Sequence, residues 1–159
     1  MNESPIYKLP KTIETRWVNP ENYDGQKGAA GKTNFGRKGS PCRGQMKSGE
    51  GWTILEQQGS GIVRRIWITL GNRTPDMLRG LVLRMYWDDA ATPAVETPIG
   101  DFFGNPLGRN FVFNNTWFNN PEGRNWNCCL PMPFRKGVKI TITNESPNLQ
   151  GCLWYHIDY

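Results

Sequence analysis

Histidine occurs once in the 159 residues, at His156. A single histidine on a C-terminal strand, between Tyr155 and Ile157, reads as a packed or edge residue, and no Ser/His/Asp or Cys/His constellation is legible around it. Cysteine occurs four times, at Cys42, Cys128, Cys129 and Cys152, with no C-x-x-C spacing. Cys128 and Cys129 are neighbours and would point to opposite faces of a strand, so they do not suggest a zinc site. No apolar run reaches the ~20 residues of a membrane-spanning helix. The first five residues carry an acid and lack an apolar segment, so no signal peptide is expected. These gaps set the expectations: no metal, no cofactor, no membrane, a cytoplasmic location and reduced buried thiols. No long stretch shows the 3.6-residue period of an amphipathic helix either.

Glycine (18) and proline (12) are abundant, and apolar residues alternate instead. The longest apolar runs are residues 62–70 and 81–87, separated by a turn-rich segment at 71–76. In the first, Ile62, Ile66, Ile68 and Leu70 share one parity; in the second, Leu81, Leu83, Met85 and Trp87 do. Period two with β-branched and aromatic residues predicts half-buried strands. Further strands are expected at 52–58, 94–99, 111–118, 126–130, 138–142 and 152–159, joined by Gly, Pro and Asn turns. Eight strands in this length predict an all-β domain over residues 51–159; they fit an eight-stranded single jelly-roll sandwich, and by themselves leave a barrel or an immunoglobulin-like sandwich open.

Residues 1–50 differ. They hold nine Lys/Arg against five acids, whereas residues 51–159 hold ten against nine. This Gly/Lys-rich stretch is expected to be an extended N-terminal arm, ordered through another subunit or through a sheet edge. Gly31-Lys32-Thr33 imitates a phosphate loop, but Gln26 stands where the pattern needs glycine. The surplus of four charges is modest, and an arm wrapping a neighbour explains it without nucleic acid.

Glycosidases use two carboxylates about 5–10 Å apart. Asp89, Glu96 and Asp101 lie near predicted strand ends and are the candidates; their plainer role is that of turn formers and solvated edge residues. Seven tryptophans are many for this length. Trp117, Arg124 and Trp126 border an asparagine-rich loop and are candidate sugar contacts. Trp17, Tyr23, Phe35, Trp117, Phe118 and Trp126 are candidate interface anchors. Trp67 and Trp87, within strands, read most simply as core.

Six runs in order carry a resemblance: FGRKGSPC (35–42), GSGIVRRIWITL (59–70), RGLVLRMYWDD (79–89), TPAVETPIGDFFG (92–104), NCCLPMPFRKGVKITITN (127–144) and YHIDY (155–159). Together they resemble the N-terminal half of glycoside hydrolase family 172, which includes α-D-fructofuranosidases. The resemblance implies one jelly roll of a double-jelly-roll architecture that forms trimers and hexamers and is similar to viral capsid proteins. It also implies catalytic glutamates in a second roll, whose motifs do not occur in these residues. If the two rolls arose by duplication, Gly100 occupies the nucleophile's place. The expectation is therefore a self-assembling homo-oligomer, trimer, pentamer or hexamer, without catalysis of its own. The alternative is a carbohydrate-binding protein, or a furanoside hydrolase whose site forms across subunits.

Overall fold

A computed structural model describes residues 11–29, 31–32 and 42–159. Among these residues twelve strands and two short helices follow one another. They are β1 (Trp17–Val18), β2 (Gly51–Gln58), β3 (Gly61–Val63), β4 (Arg65–Leu70), α1 (Pro75–Gly80), β5 (Leu81–Trp87), β6 (Val95–Pro98), α2 (Ile99–Phe102), β7 (Phe113–Asn114), β8 (Phe118–Asn120), β9 (Trp126–Cys128), β10 (Met132–Phe134), β11 (Gly137–Asn144) and β12 (Leu153–Asp158). One sheet has the order β1-β12-β4-β9-β8-β7, a second β2-β11-β5-β6, and β10 pairs with β3 as a ribbon. Every pairing is antiparallel.

The fold is an all-β sandwich. One sheet contributes Ile66, Ile68, Leu70, Trp126, Cys128, Leu153, Tyr155 and Ile157 to the core; the other contributes Ile54, Leu55, Leu83, Met85, Val138, Ile140 and Ile142. The alternation of β4, β11 and β12 is the period-two pattern that the sequence predicts. On β2 the pattern breaks, because Ile54 and Leu55 are both buried. The register against β11 shifts between Ile140 and Thr141, and the extra residue of that bulge turns two successive side chains inward.

Twelve strands replace the expected eight for local reasons. The 62–70 run divides at Arg64, so that β3 leaves the main sheet to pair with β10. The 111–118 run divides into β7 and β8 around a turn in which Asn115 Oδ1 accepts from the amides of Trp117 and Phe118. Residues 75–80, which begin within the predicted 71–76 turn, form α1 instead of loop. Pro75 opens it, Asp76 lies in its first turn, and Met77 and Leu78 are buried beneath it.

Part of the expected arm is built into the sandwich. β1 pairs with β12, and Arg16 and Tyr159 exchange backbone hydrogen bonds. Val18 and Met46 are core residues. Cys42 and Cys152 form a disulfide, which corrects the expectation of reduced thiols for that pair; Cys128 and Cys129 are free. The separation of 110 residues between Cys42 and Cys152 explains why sequence spacing could not pair them. Next to the bridge, the Arg43 guanidinium lies 5.1 Å from the Tyr23 ring centroid and 4.7 Å from that of Trp52, and Arg43 donates to the Thr53 carbonyl. No helix among the described residues is long and apolar enough to cross a membrane.

Candidate ligand-binding face

The two sheets show very different outer faces. On the six-stranded sheet, the parity that points away from the core carries Trp17 on β1, Trp154 and His156 on β12, and Trp67 and Thr69 on β4. The register sets His156 opposite Trp67 and Trp154 opposite Thr69. Trp154 and Trp67 are therefore diagonal neighbours, within reach of each other's rings. Trp17 closes the row, with its ring edge-on to His156 at 4.5 Å between centroids. Trp67 thus belongs to the outer face, not to the core; its own parity, shared with Arg65 and Thr69, is the signal for that.

Two loops wall one end of this row. Residues 71–73 rise from the end of β4, with Arg73 donating to the Leu70 carbonyl. Residues 122–125 lie across β4 from the other side, where the Thr69 hydroxyl is 2.8 Å from Asn125 Oδ1 and also reaches the Arg124 carbonyl. Trp67, Trp154, Thr69, Arg73, Arg124 and Asn125 line the resulting cleft of about 440 Å³. At the other end, Asp158 lies 3.7 Å from Arg65 Nε and 3.3 Å from His156 Nε2. Burial pushes the His156 imidazole below its ordinary range; Asp158 opposes this and Arg65 adds to it.

The four-stranded sheet presents a shallow concavity of about 840 Å³ lined by Thr53, Glu56, Arg84, Tyr86, Lys139 and Thr141, among others. Three of its charged residues, Arg84, Lys139 and Glu56, are in ion pairs. Arg84 reaches Glu96 at 2.8 Å, Glu145 at 2.6 Å and the Thr143 hydroxyl at 3.3 Å. The bonds to Glu145 and Glu96 hold its guanidinium above its ordinary value. Lys139 faces Glu56 at 3.7 Å.

The carboxylate candidates divide among these surroundings. Asp89 is in the turn after β5, in the left-handed region at φ 66°, and lines the concavity with Arg84. Glu96 is on β6, in the Arg84 ion pair. Asp101 is on α2, where it pairs with Arg79 and accepts from the Leu107 amide. Gly100 beside it is buried, and a Cβ there would lie 2.9 Å from the Asn105 carbonyl oxygen and 3.1 Å from Leu78 Cβ. That backbone contact leaves no room for a larger residue.

The sequence candidates for sugar contacts separate. Arg124 is in the cleft, but Trp117 is exposed on the β7–β8 turn and Trp126 is 1% exposed. The Trp126 indole donates to Asn105 Oδ1. Asn120 gives its amide to Asn105 Oδ1, Asn110 Oδ1 and the Phe111 carbonyl, and its oxygen accepts from the Asn125 amide. The asparagine-rich loop is thus satisfied by its own buried network. Among the anchor candidates, Trp17 and Tyr23 are exposed, Phe118 is half-buried against Phe102, and Phe35 lies outside the described residues. The cleft's tryptophans, Trp67 and Trp154, were missed because their partners are on other strands. Among the described residues, no group of three His, Cys, Asp or Glu side chains could hold a metal ion.

A family model described as GH172 domain-like matches residues 40–151. That is well over half of the chain, so the protein belongs to this family. No curated protein matches it.

Proposed function

We propose that this member of the GH172 domain-like family is a single jelly roll whose main biochemical property is assembly with further copies of itself, without catalysis of its own. Strand order supports the jelly-roll reading. With the short β3, β7, β8 and β10 set aside, the sheets are β1-β12-β4-β9 and β2-β11-β5-β6. Apart from the β5–β6 hairpin, successive strands then cross between the sheets, as two Greek keys do. The ion pairs that hold Glu96 and Asp101 favour a structural role for both carboxylates.

The observation that carries the assembly reading is the β7 end of the six-stranded sheet. Among the described residues, β7 is an edge strand with one side unpaired. On the segments that flank it, Leu107 is 74% exposed, Val112 63%, Trp117 47% and Phe111 44%. Apolar side chains beside an open strand edge are a template for pairing with another chain, and monomeric proteins usually blunt such edges with charge. A contact of this kind, repeated with a rotation that divides a full turn, closes a ring such as a trimer, pentamer or hexamer.

Native mass spectrometry of the purified protein tests this. A closed oligomer is expected, and the double variant Phe111→Ser, Val112→Ser should fall to the monomer of 18.1 kDa. A wild-type protein that is monodisperse at the monomer mass would sink the proposal.

A further inference from the structure

The geometry points to the Trp67–Trp154 cleft as a binding site for a carboxylate-bearing glycan, such as a uronate-containing oligosaccharide. This does not depend on assembly, since every residue involved comes from one chain. The cleft has the make-up of a small-ligand site: two large aromatic walls with a few convergent polar groups. Trp67 and Trp154 are half-buried, so each indole is held by its neighbours while part of its surface remains exposed. An exposed indole surface matches the C–H face of a sugar ring. Thr69 and Asn125 also line the cleft; the Thr69 hydroxyl is held by Asn125 Oδ1, and the Asn125 side-chain amide donates to Glu122 at 3.0 Å, so both are fixed in place.

The charge of the cleft narrows the ligand. Arg73 and Arg124 line it and no carboxylate does. Arg124 uses its Nε on Glu122, outside the lining, which leaves its terminal nitrogens for another acceptor. Arg73 gives one nitrogen to the Leu70 carbonyl and has no acidic partner among the described residues. Two guanidinium groups beside a stacking surface fit a planar carboxylate attached to a ring. The aromatic row continues through His156 to Trp17, across three strands spaced ~4.8 Å apart, which gives a chain of sugars a surface beyond the first ring. Nucleic acid fits less well. Its backbone needs phosphates neutralised at several points, whereas residues 51–159 carry ten Lys/Arg against nine acids and Asp158 stands at the far end of the row.

The test is titration calorimetry and tryptophan fluorescence on the full chain. The probes are oligogalacturonate, hyaluronan and alginate oligosaccharides, the methyl esters of each, and a deoxythymidine oligonucleotide. At least one acid form should bind, with its ester about tenfold weaker, because the ester loses the charge that strengthens its hydrogen bonds to the two guanidinium groups. Trp154→Ala should abolish binding. Arg124→Gln, on an exposed side chain and so without risk to folding, should weaken the acid form about tenfold and leave the ester unchanged. Trp117→Ala should leave binding intact. Equal binding of acid and ester, tighter binding of the oligonucleotide, retained binding in Trp154→Ala, or no binding across the panel would each overturn the assignment.

Discussion

The outer faces of the two sheets use the same backbone geometry for opposite ends. On the six-stranded sheet, Trp17, His156, Trp67 and Trp154 form a row whose polar partners sit at its margins. On the four-stranded sheet, Arg84, Glu96, Glu145, Lys139 and Glu56 satisfy one another within the face, between threonines. Self-paired charges of that kind contribute modestly and leave little for a partner to bind. Rings with exposed surface remain unsatisfied until something covers them. The face with fewer internal bonds is therefore the better candidate for recognition, although the other holds the larger concavity.

The largest expected effect separates the faces by their anchoring. The Cys42–Cys152 bridge ties the start of residues 42–50 beside β12, where the Arg43 amide donates to the Leu153 carbonyl, while Gly49 and Glu50 pair with Asn144 at the end of β11. Cys152→Ser should cost about 2–4 kcal/mol in denaturant unfolding, as expected for a bridge that closes a long loop. Hydrogen exchange should then quicken at the start of residues 42–50 and in β12 while β5 and β11 remain protected. Uniform loosening of both sheets would show that the bridge supports the whole sandwich instead.

A smaller effect belongs to the other face. Arg84 is 21% exposed at the side chain, but its partners Glu96 and Glu145 are 56% and 47% exposed. Solvent screens such pairs, so Arg84→Met should cost about 1 kcal/mol or less. It should also leave any ligand affinity of the Trp67–Trp154 cleft unchanged. A loss of that affinity would mean that the faces communicate through the core.

The pH response should be the smallest. Burial depresses the His156 pKa, so between the folded and the ordinary imidazole values the unfolded chain holds the extra proton. Stability contributed there is complete above the ordinary value and is lost as pH falls through the folded one. Asp88 behaves alike at lower pH. The amides of Lys136, Arg135 and Gly137 donate to its Oδ1 and hold its carboxyl below the usual range. Its contribution is present above the ordinary carboxylate value and is lost as pH falls through the depressed one. His156→Gln should flatten the first slope and Asp88→Asn the second. An unchanged slope in either variant would remove that group from the account.

Much of the sandwich was legible in advance because parity is local. Ile66, Ile68, Leu70, Leu83, Met85, Ile140 and Ile142 are buried on the faces that alternation assigns. The division of residues 62–70 was less visible, since Arg64 differs little from Arg65 in sequence and only the pairing with β10 sets it apart. Trp67 was misjudged by its size: a large aromatic suggests core, while its parity with Arg65 and Thr69 gives the outer face. Arg124 was singled out, but beside Trp126, whose indole is committed to Asn105.

Alternation, turn residues and ordered motifs determined by themselves that this chain is an all-β sandwich of the GH172 domain-like family, because each is carried by residues close together in the chain. Only the tertiary structure decided that Cys42 meets Cys152, that Arg43 lies between Tyr23 and Trp52, and that Arg124 crosses β4 to reach the neighbourhood of Trp154. Those contacts depend on which strands lie side by side. Strand order is set by the whole core closing at once, and no local period records it.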